Sequence, residues 1–170
     1  MTIRLKKTNV MAQDVDSPPT ITIDGYKLEV GEKLTDLGST ISISLSIDAE
    51  INGRIAKKTA VMARLNQRAW NNLNLTENTK LCVYQTCVFR TLLYSSEPWT
   101  TYTSHEWKLN CFNLRCLRRI LRIQWQDKVP STEVLERASM NSMFTILSER
   151  HLRWLGHFRR MDTGRIPMAS

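Results

Sequence analysis

The side chains best suited to chemistry in this chain are arginines set in rows. Arg115, Arg118, Arg119 and Arg122 follow at i, i+3, i+4 and i+7, so on a helix they form one stripe. Two further rows keep helical spacing: Arg54, Lys57, Lys58, Arg64 and Arg68, then Arg150, Arg153, His157 and Arg160. A row of like charges repels itself unless an anion faces it. A guanidinium fork can contact two phosphate oxygens at once, and neutralising phosphates releases condensed counterions. Nucleic acid is the partner that fits such rows, an anionic membrane surface is the competing candidate, and solvated helix faces are the plain alternative. Trp99, Trp107, Trp125 and Trp154 lie near the arginines and are able to stack on bases, but Trp107 and Trp154 fall on apolar positions and are assigned to the core.

Other chemistries find less support. Cys82 and Cys87 repeat the five-residue spacing of Cys111 and Cys116. Structural zinc sites pair ligands two to four residues apart, whereas side chains five apart on an α-helix diverge by about 140°. The four cysteines are therefore read as small buried hydrophobes, free thiols of a reducing compartment. His105, His151 and His157 form no paired-ligand pattern. Asp14 and Asp16 are the one close carboxylate pair outside the helices, just before Pro18-Pro19, and a lone Asp-x-Asp fits a solvated loop better than a two-metal site. No nucleophile elbow, P-loop or dinucleotide fingerprint occurs. The residues point to binding rather than catalysis, with no resident metal or cofactor.

The charge is divided unevenly along the chain. Residues 1–52 carry 5 Lys/Arg against 8 Asp/Glu, while residues 53–170 carry 19 against 8. The longest apolar runs fall far short of the roughly 20 residues of a membrane helix, and no basic segment followed by an apolar one opens the chain. The reading is an intracellular protein, nuclear or cytoplasmic, neither secreted nor membrane-bound.

The elements that position these rows follow from periodicity. Thr20 to Ile23 and Tyr26 to Val30 alternate with period two around Asp24-Gly25, a hairpin signal. Asn9 to Gln13 and Leu34 to Ile43 each offer one further strand, giving the edge of a small antiparallel sheet that cannot bury a core alone. From Ser46, an expected N-cap, the period becomes 3.6, and Ile47, Ile51, Ile55, Met62, Leu65 and Ala69 follow one face. A second helix starts at Thr76, buries Leu81, Tyr84, Val88 and Leu92, and ends before Pro98. A third starts near Ser104 with Trp107, Cys111, Leu114, Leu117 and Leu121 inside and the arginines opposite. A short helix capped by Ser131 follows Pro130. The last runs from about Asn141 with Met143, Ile146, Leu147, Leu152, Trp154, Leu155 and Phe158 inside, closed by Gly164 and Pro167. The expected fold is α+β and mainly α, short antiparallel strands over 1–45 followed by a bundle of four or five amphipathic helices over 46–170.

In this order, Lys6-Lys7-Thr8-Asn9-Val10-Met11, Leu37-Gly38-Ser39-Thr40-Ile41-Ser42, Leu92-Leu93-Tyr94, Glu97-Pro98-Trp99, Arg115-Cys116-Leu117-Arg118-Arg119-Ile120-Leu121 and Leu152-Arg153-Trp154-Leu155-Gly156-His157 resemble the C-terminal part of endonuclease-reverse transcriptases of LINE-type (non-LTR) retrotransposons, the RTE-like clade above all. The resemblance spans essentially the whole chain. It implies that residues 1–45 are the end of a palm subdomain, and that the rest is thumb and C-terminal extension. It also implies that Lys7 lies near the incoming nucleotide and that Leu37, Gly38 and Ser39 match the primer grip. Leu34 and Asp36 replace aromatics of that grip, and a carboxylate near a primer phosphate repels it. The paired aspartates that hold Mg²⁺ in the intact family enzyme belong upstream of the first residue here, so the resemblance implies a non-catalytic fragment. Its residual capacity would be sequence-tolerant binding of RNA or an RNA–DNA duplex, with self-association through exposed palm strands as a further possibility. The alternative is an inactive helical structural or interaction protein that binds no nucleic acid.

Overall fold

The change of hydrophobic period near residue 46 is a change of architecture. The computed structural model describes residues 9–12, 20–23, 25–31, 33–36, 39–42 and 47–160. The fold is α+β and mainly α, and the chain divides into two units, 1–50 and 51–170. Lys7, Asp14, Asp16, Leu37, Gly38, Ser46, Gly164 and Pro167 lie outside the described residues.

In the first unit, β2 (Thr22–Ile23) and β3 (Tyr26–Lys27) pair antiparallel, with Thr22 opposite Lys27 and Ile23 opposite Tyr26. Gly25 between them takes φ 77°, a left-handed conformation that a Cβ would oppose. The run 26–30, expected as one strand, changes partner midway. Leu28 is buried and donates its N–H to Ile21 O at 2.9 Å. Beyond it β4 (Glu29–Val30) pairs with β1 (Asn9–Val10), and Gly31 donates to Val10 O at 2.9 Å. A strand has two hydrogen-bonding edges, and once the hairpin takes one the other is open to β1. This second pairing is parallel, which corrects the expectation of one small antiparallel sheet. The segment from Leu34, expected to supply one strand, supplies two. Here β5 (Lys33–Asp36) and β6 (Ser39–Ser42) pair antiparallel, Asp36 opposite Ser39.

The helical part begins with α1 (Asp48–Arg64), which has Asp48 and Glu50 in its first turn and Arg64 in its last, as the helix dipole favours. A π-turn over Asn66–Trp70 extends it, with Asn71 N–H reaching Asn66 O at 2.8 Å. Ile51, Met62, Ala69 and Trp70 are buried, and Trp70 Nε1 donates to Met62 O at 2.8 Å. Next come α2 (Glu77–Tyr84), a π-turn over Gln85–Phe89 and α3 (Arg90–Leu92) as one unbroken helical run. Thr76 caps it as expected, accepting from Thr79 N–H at 3.2 Å. Leu81, Tyr84, Val88 and Leu92 are all buried.

Next, α4 (Thr103–Ile120) packs on α2, α5 (Ser131–Arg137) and α6 (Met143–Arg159). It begins beside Ser104 as expected, with Tyr102 as its N-cap, and Tyr102 N–H donates to His105 Nδ1 at 3.2 Å. Pro130, not Ser131, caps α5, and α6 begins close to the expected Asn141 with Ser142 as its cap, accepting from Thr145 N–H at 3.2 Å. The buried residues of α4 are His105, Leu109, Phe112, Leu114, Cys116, Leu117 and Ile120, with Leu121 just past its end, so Leu114, Leu117 and Leu121 are inside as expected; with them is Asn113, which accepts from Tyr84 Oη at 2.7 Å across the α2–α4 contact. This rotates the expected face enough to release Trp107 to solvent.

The run from Glu77 to Leu92 ends with carbonyls that have no helical partner. Two arginines from other helices supply the donors. Arg54 of α1 donates from one Nη atom to Leu92 O at 3.1 Å and to Tyr94 O, and its guanidinium lies 4.9 Å from the ring centre of Trp99. Arg150 of α6 donates to Leu93 O at 2.6 Å and to Ser96 Oγ at 3.4 Å, and pairs with Glu97 at 3.1 Å. Cations also complement the negative end of a helix dipole. Arg54→Met keeps the bulk and removes the donors, so it is expected to cost about 2–4 kcal/mol, the penalty of stranding buried carbonyls. A fall in the urea midpoint at unchanged m-value checks this.

Candidate nucleic-acid interface

The clamp withdraws two residues from the rows that were assigned to nucleic acid. Arg54 is 5% exposed and Arg150 is half-buried, both engaged with the corner at residues 92–97. These arginines hold the bundle together. Sequence periodicity does not separate them from their neighbours, because Arg54 lies three residues from Ile51 and shares its inward face.

The other row members remain on the surface. Lys57, Arg64 and Arg68 are exposed, while Lys58 is half-buried, its pKa lowered by that burial and by the charges of Arg54 and Lys57. On α4, Arg115 and Arg119 are exposed, and Arg118 is half-buried with Nη2 donating to Ser131 Oγ at 3.2 Å. Arg122 is exposed too, but it lies past the end of α4. There Ile123 N–H reaches Arg118 O at 2.9 Å and Arg122 takes φ 56°, the left-handed residue of a Schellman-type close. The stripe is therefore helical only as far as Arg119. Arg115, Arg119 and Arg122 have no carboxylate partner among the described residues. On α6, Arg153, His157 and Arg160 are exposed.

Two tryptophans assigned to the core are exposed, Trp107 at 67% and Trp154 at 39%. Steps of four lead from Trp107 through Cys111 and Arg115 to Arg119, each turning about 40° round the helix, so the ring is about 80° from Arg115 and about 120° from Arg119. Trp107 shares the solvent side of α4 without lying on the arginine row. Trp125 is also exposed, and Trp99 is half-buried against Arg54. In the distal half of α6, Leu152, Trp154, Leu155 and Phe158 are exposed, which corrects the expected buried stripe: Met143 and Leu147 pack and the rest extends past the packed part. The Trp154 and Phe158 rings lie 5.6 Å apart.

A cavity of ≈ 210 Å³ opens between the first turns of α4 and α6. It is lined mainly by carbon, from Trp107 and Phe144, with Glu106 and Asn110 beside them. Sequence reasoning missed it because Phe144 and Trp107 come together only through the α4–α6 contact.

The cysteines divide by environment. Cys116 is buried as expected and Cys111 is half-buried, but Cys82 and Cys87 are both exposed. The π-turn explains the pair, since i→i+5 bonding brings five residues closer to one full turn. Among the described residues, no three His, Cys, Asp or Glu side chains gather as a metal site. Likewise, no helix among them is long and apolar enough to cross a membrane. Leu37 and Gly38 of the grip-like segment lie outside the described residues, and Ser39 opens β6.

Compared with known proteins, the chain matches no family model, no curated protein and no solved structure.

Burial pushes the Cys116 thiol up to about 12 from its ordinary 9.0, against the pull of Tyr84, Arg115 and Arg119. Burial, then the adjacent Cys116, raises Tyr84 well above 10.0. A group whose folded pKa is raised stabilises fully below its unfolded pKa, and that contribution is lost as pH rises toward the folded value. Stability should therefore begin to fall above pH 9, before Tyr84 adds its own loss above pH 10. In Cys116→Val the part of the loss between pH 9 and 10 should disappear, as read by urea midpoints across that range.

Proposed function

We propose that this chain is a C-terminal thumb-and-extension portion of a LINE-type, RTE-like reverse transcriptase, and that it binds RNA or an RNA–DNA duplex without reading its sequence. The observation that carries this reading is the set Arg115, Arg119 and Arg122: exposed, close together in the chain, and unpaired with carboxylate among the described residues. The residues from 51 onward carry 19 Lys/Arg against 8 Asp/Glu. Arg118 and Arg119 sit in the last turn of α4, where cations also favour the helix end by about 0.3–1 kcal/mol each. That local gain does not offset three unshielded guanidinium groups on one edge. Phosphates do, and contacts confined to phosphates tolerate any sequence. Two of the six motifs quoted for the resemblance, Leu92-Leu93-Tyr94 and Glu97-Pro98-Trp99, form the corner that receives Arg54 and Arg150.

Fluorescence anisotropy across a salt series is the test, with an RNA–DNA duplex and a scrambled-sequence control. Arg115→Gln, Arg119→Gln and Arg122→Gln combined should lower the slope of log K against log salt by about 2–3, near 0.9 per lost phosphate contact on B-DNA and somewhat less on single strands. They should leave the scrambled control indistinguishable from the original. An unchanged slope removes the α4 edge from the interface.

A second reading has its own observation, the exposed apolar group Leu152, Trp154, Leu155 and Phe158 on α6, to which the strands add exposed Ile21, Tyr26 and Val30. Such surface favours self-association. Sedimentation should then show a mass rising above the 19.7 kDa monomer with concentration, and Leu155→Glu with Phe158→Glu should reverse the rise. A monomer throughout discards this reading.

A further inference from the structure

We propose that the distal half of α6 is a docking face for an acidic amphipathic helix of another protein. The proposal goes beyond the nucleic-acid reading and does not depend on it. It shares its face with the self-association reading and gives that face a different occupant.

The near end of α6 is fixed. Met143 and Leu147 are buried, and Arg150 is held at the corner of residues 92–97. Beyond that point Leu152, Trp154, Leu155 and Phe158 are all exposed, Leu152 at 69%. At about 100° per residue they lie within an arc of roughly 160°, and they span about 9 Å of helix axis. A single exposed leucine needs no account, but four large apolar side chains on one arc mark a contact surface. Their spacings of three and four residues are those by which one helix seats against another or against a groove. The Trp154 and Phe158 rings, 5.6 Å apart, already brace each other, so less side-chain freedom is lost when a partner covers them.

Charge decides the occupant. From Arg150 to Arg160 the chain has four arginines and no Asp or Glu. Arg153 and Arg160 stand on the side away from the apolar arc, while Arg159 falls inside it, about 20° from Leu152 and about 40° from Leu155. All three are exposed and have no carboxylate partner among the described residues. A cation covered within an apolar contact costs free energy unless the covering surface brings it a carboxylate. The complement of this face is therefore apolar and acidic together.

Three other occupants meet that requirement less well. A second copy of the same helix end brings arginine to arginine, with no carboxylate between residues 150 and 160 to relieve them. Nucleic acid suits the charge, but leucine offers a base no ring to stack on, so Leu152 and Leu155 stay uncovered. An anionic bilayer also suits the charge. Its acyl boundary holds no partner for Arg159, and under two turns of apolar face is short beside the roughly 20–30 residues of many interfacial helices. An acidic amphipathic helix supplies apolar cover for the arc and carboxylates for Arg153, Arg159 and Arg160 at once.

The test titrates the full chain, by anisotropy, with a labelled synthetic helix that carries Leu on one face and Glu on the other. Beside it run the same helix with Lys for Glu, vesicles of phosphatidylserine and phosphatidylcholine, and the RNA–DNA duplex. The Glu helix should bind, and the Lys helix at least about tenfold more weakly. Leu155→Ala and Phe158→Ala, both at exposed positions, should each weaken binding of the Glu helix by about fivefold or more, the loss that a central interface side chain carries, and leave duplex binding unchanged. Arg153→Glu with Arg159→Glu should turn the preference toward the Lys helix, a gain that a misfolded variant does not give. No binding of the Glu helix, equal binding of both helices, or indifference to Leu155→Ala and Phe158→Ala overturns the proposal. So does vesicle binding or concentration-dependent dimerisation that these two variants abolish, which makes lipid or a second copy the occupant. A chain that binds the duplex but not the Glu helix overturns this proposal alone and leaves the arginine edge of α4 in place.

Discussion

The helical part of this protein depends on how the run from Glu77 to Leu92 ends. A helix terminating inside a bundle leaves carbonyl oxygens without donors, and each one left dry costs as much as a lost hydrogen bond. Here the oxygens of Leu92, Leu93 and Tyr94 accept from Arg54 and Arg150, which arrive from the first and last helices. Trp99 covers one guanidinium and Glu97 neutralises the other. One corner thus joins α1, the α2–α3 run and α6, elements otherwise held by non-directional apolar contact. The aliphatic core supplies the driving force for packing, and the arginine corner supplies the register.

The corner also decides what the surface can do. Arg54 is buried and Arg150 half-buried, each with an Nη held at the corner, whereas Arg115, Arg119 and Arg122, toward the end of a different helix, are exposed. The same residue type at the same helical spacing serves two purposes, and burial separates them. Local geometry sharpens the division: α4 closes with Arg122 in a left-handed conformation, turning the last arginine off the helix while leaving it at the surface. The π-turn in the second run has a comparable effect on Cys82 and Cys87, both of which it leaves facing solvent.

The two ends of α6 illustrate how packing runs out. Met143 and Leu147 sit in the core, Arg150 holds the corner, and from Leu152 onward the side chains face water. A helix of seventeen residues is about 25 Å long, more than its partners here cover. The aromatic and aliphatic groups left over are a surface in search of contact, and so is the cavity at the other end of the same helix. The first lies among the exposed Arg153 and Arg160, whereas the cavity is lined by Glu106 and no cation.

Read alone, the chain specified its elements well. The Asp24-Gly25 hairpin, the helix start at Thr76, the breaks before Pro98 and at Pro130, and the buried set Leu81, Tyr84, Val88 and Leu92 were all legible, because each rests on backbone sterics or a local hydrophobic period. Strand pairing was not, since which edge of 26–30 takes β1 depends on a partner some twenty residues away. Nor was the identity of the surface: Arg54 belonged to an expected basic row and Trp107 to an expected apolar face, and the bundle buried the first and exposed the second. Sequence by itself determined where helices begin and which stripe is mainly apolar, through interactions spanning at most a turn or two. Only the tertiary structure decided which cations are structural, which aromatics are free and where a cavity opens, because burial is a property of neighbours that lie distant in the chain.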